Sequence, residues 1–276
     1  MTLPRRELLL TLAACASVRA GKIASLTPFF ASGEGAAVLL DVHSRRLIAA
    51  HGSTVAAGFL APPGSTIKPF VLAALLRVGK LNAAESFACP GRLRIAGRSF
   101  DCSHPRLDSP MRVDTALAYS CNCFVAHVAE RFAPGELARE LTGLADRVEP
   151  ASSADAIRLQ ALGEDRVRVS PQSLATAYRS LALRIGQPEM RPILAGLEGA
   201  VEYGTAQRAR IDSAQVAGKT GSVISESGAP IAWFAGFMPS RAPEAVVTVM
   251  LQGHSGGSDA APIAGRILEA YRAGRL

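Results

Sequence analysis

The segment Pro62–Gly79, "PPGSTIKPFVLAALLRVG", constrains this chain more than any other. From Ile67 onward it is apolar nearly all round: Phe70, Val71, Leu72, Ala73, Ala74, Leu75 and Leu76 leave no polar face. A helix of that kind belongs inside a fold, wrapped by other elements. Its opening turn nevertheless carries Ser65 and Lys68. Serine suits a helix N-terminus, and residues three apart share a face, so hydroxyl and amine meet. Pro69 so early forfeits little, because the opening amides lack intrahelical partners. Burial drives a lysine towards its neutral form, and a neutral amine beside a hydroxyl is a general base beside a nucleophile. The positive end of the helix dipole favours negative charge developing there. Taken alone, Ser-x-x-Lys is better explained by a capping serine and a lysine whose head reaches solvent.

The flanking segments show what wraps such a helix. Residues 36–42 (AAVLLDV) and 46–50 (RLIAA) have strand composition around a turn at 43–45, which makes an antiparallel pair. Helical spacing follows over 114–132, 135–144 and 171–185. Beyond residue 210 come three short β-rich runs, "AQVAGKTGSV", "APIAWFAGFMPS" and "EAVVTVMLQG", divided by Gly, Pro and Ser. The closing "SDAAPIAGRILEAYRAG" is an amphipathic helix from about Ser258. No polar or Pro/Gly-rich block divides residues 36–276, and 49% hydrophobic content supports one folded unit. The expectation is an α+β fold, an α/β sandwich. One antiparallel five-stranded sheet is drawn from both chain ends, with N- and C-terminal helices and an all-helical lobe at roughly 80–210. A cleft opens where lobe and sheet meet.

Residues 1–20 differ from the rest: Arg5 and Arg6 precede an apolar run from Leu8 to Val18, too short to span a bilayer comfortably. That is the pattern of an export signal, with residues 21–35 as a linker. "LAAC", ending at Cys15, resembles the lipobox of bacterial lipoproteins, which implies lipidation of Cys15 and a place in the periplasm or on the outer face of the membrane. The paired arginines fit a twin-arginine signal poorly, flanked as they are by Pro4 and Glu7. The formal charge of +7 is spread thinly, without a basic stripe or a reading module, so no nucleic-acid partner is expected.

Two further polar clusters interrupt apolar pattern: Ser120 and Asn122 in "ALAYSCNCF", and Lys219, Thr220, Gly221 and Ser222 in "AGKTGSV". The glycines of the second bare the backbone to a close ligand, and its cation and hydroxyls suit an anion. Beside Cys15, the cysteines are Cys89, Cys102, Cys121 and Cys123. In an exported chain, Cys89 and Cys102 flank a turn-rich stretch that would bring them together as a disulfide. With His104 two residues on, zinc is the rival, but three ligands at that spacing match no standard site, and no metal or cofactor is expected. Cys121 and Cys123 are too close to bridge each other easily.

Ser-x-x-Lys, Ser-x-Asn and Lys-Thr-Gly, in that order, form the motif set of penicillin-recognising enzymes. The chain resembles the transpeptidase domain of penicillin-binding proteins from about Ala36 to Tyr271. "PPGSTIKPF", "ALAYSCNCF", "VSPQSLATAYRSLA", "VAGKTGSV", "IAWFAGFMPS" and "GGSDAAPIAGRI" all resemble stretches of that family in the expected order. The resemblance implies that Ser65 attacks the D-Ala-D-Ala end of peptidoglycan stem peptides and that β-lactams trap it. It assigns Lys68 as base, Ser120 as proton relay and Asn122 as the holder of Lys68 and the substrate amide. Lys219 keeps the Lys68 amine poised, Thr220 and Ser222 grip the carboxylate, and the Ser65 and Ser222 amides form the oxyanion hole. The sequence departs from the family at His104–Pro105, where many relatives carry His-Gly. Glu164 in "ALGEDRVRVSP" invites comparison with the hydrolytic base of class A β-lactamases, but its place favours a structural role. The alternatives are a class D-like β-lactamase, disfavoured by the polar Asn122, a D,D-carboxypeptidase, and a sensor that acylates without turnover.

Overall fold

The computed structural model describes residues 23–31 and 34–276. The proposed signal and Cys15 lie outside them. Strands β1 (Ala24–Ser25), β2 (Ala36–Asp41) and β3 (Leu47–His51) lead into helix α1 (Ser53–Gly58). The 3-10 turn Gly64–Ile67 then enters α2 (Lys68–Arg77). A small hairpin, β4 (Arg94–Ile95) and β5 (Arg98–Ser99), precedes α3 (Val113–Ala118), α4 (Asn122–Ala129) and α5 (Glu136–Leu141). Next come β6 (Arg147–Val148), α6 (Ala154–Ala161) and β7 (Val167–Arg168), then α7 (Pro171–Ala182) and α8 (Arg191–Glu202). Strands β8 (Ala217–Ile224), β9 (Pro230–Met238) and β10 (Ala245–Gln252) and helix α9 (Ala261–Arg272) complete the chain.

The main sheet runs β1-β3-β2-β10-β9-β8. Its five long strands pair antiparallel, as expected, and join the two ends of the chain through β2 and β10. The addition is β1, which pairs parallel with β3 inside the stretch expected to be linker. On the N-terminal side, the helical structure among the described residues before β2 is a 3-10 turn, Thr27–Phe29, beside α9.

Both sheet faces are buried, so the strands lack a polar face. One face carries Val38, Leu40, Trp233, Phe237 and Val246, and it meets α7 and the turn that enters α2. The other carries Ala37, Leu39, Phe234, Val247 and Val249, against Ile263, Ile267 and Leu268 of α9. α7 has a buried stripe of Leu174, Ala177, Tyr178 and Leu181 and packs on β2, β9 and β10, although its sequence range falls within the expected helical lobe. The lobe proper is built from α3, α4, α5, α6 and α8, with α2 in contact with most of them. Lys68 to Leu75 are all buried, which accounts for a helix without a polar face.

Two glycines lock this hub to the lobe. Gly64 donates its amide to Gly163 O at 3.0 Å, and a Cβ on Gly163 would lie 2.2 Å from Gly64 O. Both have left-handed φ, +52° and +74°. Gly143 has φ +83° but open space around it. Gly143→Ala should therefore cost only the left-handed strain, about 1 kcal/mol. Gly163→Ala should cost on the order of 3 kcal/mol, lowering Tm roughly three times as far as Gly143→Ala does. Thermal unfolding of the two variants checks this, and equal losses would contradict the close approach.

Candidate active site

Ser65 sits half-buried on the 3-10 turn, between Gly64 and Thr66. Both neighbours lean on β8. A Cβ on Gly64 would lie 3.5 Å from Ser222 N, and one on Gly221 would lie 2.7 Å from Pro63 O and 3.1 Å from Thr66 Cγ2. Gly221 is thus the vacancy that lets the serine-bearing turn press against the strand. Hydrogen bonds pin the turn from within. Thr66 Oγ1 donates to Pro63 O at 2.7 Å, Tyr178 OH to Thr66 O at 2.8 Å and Trp233 Nε1 to Pro62 O at 3.1 Å.

Lys68 is fully buried, and its ammonium finds three acceptors. Nζ donates to Ser120 O at 2.8 Å, Ser120 Oγ at 3.2 Å and Asn122 Oδ1 at 2.5 Å. Those acceptors exist because the helical stretch expected over 114–132 is broken at Tyr119–Cys121. Ser120 takes a left-handed φ of +57°, costly for a residue with a Cβ, and turns both its carbonyl and its hydroxyl to Lys68. Asn122 opens α4 and anchors its amide by donating Nδ2 to Phe100 O at 3.0 Å. Burial lowers the Lys68 pKa from 10.5 to about 8, opposed by the Cys121 and Cys102 sulfurs and the Glu164 carboxyl.

Lys219 on β8 is equally buried and donates to Thr220 O at 3.1 Å. Burial, and then the charge of Lys68, pull its pKa well below the lysine range. Thr220 Oγ1 donates to Thr205 Oγ1 at 2.8 Å, and Ser222 Oγ accepts from Gly256 N at 3.0 Å. β8 is the outer strand of the sheet, so one side of its backbone is left for another partner. Glu164 is raised by burial, while Arg98 and Lys68 oppose the rise. Arg98 Nη2 donates to it at 3.1 Å, tying the β4–β5 hairpin to the loop after Gly163. The three sequence clusters therefore meet at one place that holds a tunable amine, a second cation, hydroxyls and a strand edge.

The family model for the penicillin binding protein transpeptidase domain matches residues 35–269. The chain belongs to this family. Three solved structures share the fold of the domain. Pseudomonas aeruginosa PBP2, solved in complex with WCK 5153, aligns at TM-score 0.77 and 19% identity over 89% of this chain and 75% of that one. The transpeptidase domain of penicillin-binding protein 3 from Burkholderia pseudomallei gives 0.75 and 20% over 90% and 94%. The D,D-transpeptidase domain of an Eggerthella lenta peptidoglycan glycosyltransferase gives 0.72 and 18% over 91% and 82%. No curated protein matches the sequence.

Sequence reasoning missed several supports of this transpeptidase domain. Thr205, Phe100 and Gly256 bond to motif side chains from afar and left no pattern. Trp233 and Tyr178 did carry a signal, since a buried indole N–H or phenol needs a partner. The expected disulfide is a correction. Cys89 and Cys102 carry free thiols with sulfurs 3.7 Å apart, because Cys121 and Cys123 share their pocket and no pair is singled out. The three candidate metal ligands at Cys89, Cys102 and His104 also gain a fourth, Cys121, brought in by the fold.

The burial of Lys68 fixes a pH signature of stability. Below about pH 8 both folded and unfolded states hold the proton, and the folded state bears the full cost of a buried charge. Between about 8 and 10.5 only the unfolded state retains it, so stability rises with pH. Relative to Lys68→Met, the wild type should gain on the order of 3 kcal/mol between pH 7 and 10.5. Denaturant unfolding across that range measures it, and a constant difference would contradict the assigned burial.

Proposed function

We propose that this domain is a serine D,D-transpeptidase acting on D-Ala-D-Ala stem peptides of peptidoglycan, with Ser65 as nucleophile, and that β-lactams acylate the same residue. The observation that carries the reading is the bonding of Lys68 to Ser120 and Asn122 beneath the serine-bearing turn. A neutral Lys68 keeps two N–H donors for these partners and frees a lone pair for the Ser65 proton. Ser65 Oγ then bonds to the carbonyl carbon of the penultimate D-alanine, and its proton passes to Lys68. The amides of Ser65 and Ser222 stabilise the oxyanion, which is usually the largest contribution to such a step. Collapse breaks the peptide bond. The leaving nitrogen takes a proton through Ser120, and D-alanine departs from a Ser65 ester.

An amine from a neighbouring stem peptide attacks this ester, forms the crosslink and returns the proton to Ser65. Water in place of the amine gives a carboxypeptidase outcome. The substrate backbone aligns along the free edge of β8, while Lys219, Thr220 and Ser222 receive its terminal carboxylate. Asn122 donates to Phe100 O and accepts from Lys68, a polar arrangement that favours a transpeptidase over a class D-like β-lactamase. The N-terminal sequence supports export and anchoring through Cys15, where peptidoglycan is assembled.

Incubation with a fluorescent penicillin should give lasting label on the wild type and none on Ser65→Ala. Equal label on both, or none on either, overturns the assignment, and rapid release points to a β-lactamase. A D-Ala-D-Ala pentapeptide supplied with and without an amine acceptor separates crosslinking from trimming. The acylation rate should rise with pH to a plateau above about 8, as the Lys68 amine loses its proton. Lys68→Ala should lower it about 10²–10⁴-fold with the fold intact. An unchanged rate in that variant removes Lys68 as the base.

A further inference from the structure

Beside the second motif lies a cluster that acyl transfer does not use. Cys89 Sγ is 3.7 Å from Cys102 Sγ, 3.5 Å from Cys121 Sγ and 3.5 Å from His104 Nε2. Cys102 Sγ is 3.7 Å from Cys121 Sγ, and all four ligand atoms lie within 4.8 Å of one another. A tetrahedral zinc ion, with Zn–S of about 2.3 Å and Zn–N of about 2.0 Å, sets its ligands about 3.5–3.8 Å apart. A disulfide sets its sulfurs about 2.0 Å apart. The four closest separations match ligands around an ion and not a disulfide.

The surroundings support the same reading. His104 Nδ1 lies 2.8 Å from Pro105 O. A carbonyl only accepts, so Nδ1 carries the proton and Nε2 presents its lone pair to the sulfurs. Each sulfur receives one backbone amide: Gly91 N on Cys89 at 3.4 Å, Cys123 N on Cys102 at 3.5 Å and Phe124 N on Cys121 at 3.3 Å. Donors aimed at three sulfurs suit thiolates, the form in which cysteine binds metal. Cys123 Sγ touches only the edge of the cluster, 3.5 Å from Cys102 Sγ and 3.5 Å from Arg92 O, and is not among the four ligand atoms that all lie within 4.8 Å of one another.

We propose that Cys89, Cys102, His104 and Cys121 bind one divalent zinc-type ion that fastens the second motif in place. Binding releases three thiol protons and leaves three thiolates and one neutral imidazole around the ion, with a net charge of −1. Four protein ligands leave no open position, so the ion is structural rather than catalytic. Its leverage comes from placement. Cys121 lies between Ser120 and Asn122, the two residues that hold Lys68. The segment from Cys89 to His104 also contains Phe100, whose carbonyl accepts from Asn122. The ion therefore clasps that segment to the strained turn and presents Ser120 and Asn122 to the amine.

Elemental analysis of the purified full chain should find one zinc per molecule, lost in Cys102→Ser and Cys121→Ser and kept in Cys123→Ser. Cobalt(II) added to the metal-stripped wild type should give thiolate-to-metal charge-transfer bands and strong visible bands of tetrahedral cobalt. This arm remains decisive even if the ligand variants fail to fold. Metal-free protein that takes up no cobalt overturns the proposal. So does an intact mass short of two hydrogens, showing a disulfide within the cluster, or a metal retained by Cys121→Ser but lost from Cys123→Ser. Stripping the ion should slow β-lactam labelling severalfold, and zinc should restore it. That last readout alone rests on the acyl-transfer reading. Ser65→Ala, which takes no label, should still bind one ion, so the two readings can fail separately.

Discussion

The site depends on one constraint: an amine must be held out of water without losing its hydrogen bonds. Moving an ammonium into the interior costs several kcal/mol, and the cost is offset only when each proton has an acceptor. Lys68 meets that condition with one carbonyl, one hydroxyl and one amide oxygen, all from the turn between α3 and α4. That requirement explains why α2 is apolar all round, why Ser120 is held at a left-handed φ, and why Asn122 is anchored from behind by Phe100. Each is a local cost made tolerable by what surrounds it.

The second constraint is closeness. The turn that bears Ser65 and β8 must approach until side chains no longer fit between them, and Gly221 supplies the gap on the strand side. Gly64 and Gly163 do the same between the turn and the lobe. The result is a site assembled from four parts of the chain, with Lys219 as a second buried amine whose proton is weakened by burial and by Lys68. The cysteine and histidine cluster adds a fastening from outside, at the residue between Ser120 and Asn122.

Much of this was legible in the sequence, because local pattern carried it. The five long strands, α2, α7 and α9 lie close to where periodicity puts them, and the three motifs converge. Periodicity failed at 114–132, where Ser120 interrupts what reads as one helix, since a left-handed serine leaves no mark in hydropathy. It also gave no sign of β1, two residues long and held by its pairing with β3. Cys89 and Cys102 looked like a pair because they are neighbours in sequence. Cys121, nineteen residues beyond Cys102, joins them only when the turn between α3 and α4 folds back. Glu164 was expected to be structural, and it ties the β4–β5 hairpin to the loop through Arg98.

Burial should make the Lys68 amine lose its proton near pH 8 while Ser120 and Asn122 hold it. The most direct measurement follows the side-chain ¹³Cε resonance of Lys68 through a pH titration, assigned by its disappearance in Lys68→Met. A midpoint near 8 is the predicted result. A midpoint near the ordinary lysine value of about 10.4 would mean that the amine is solvated, and it would contradict the account.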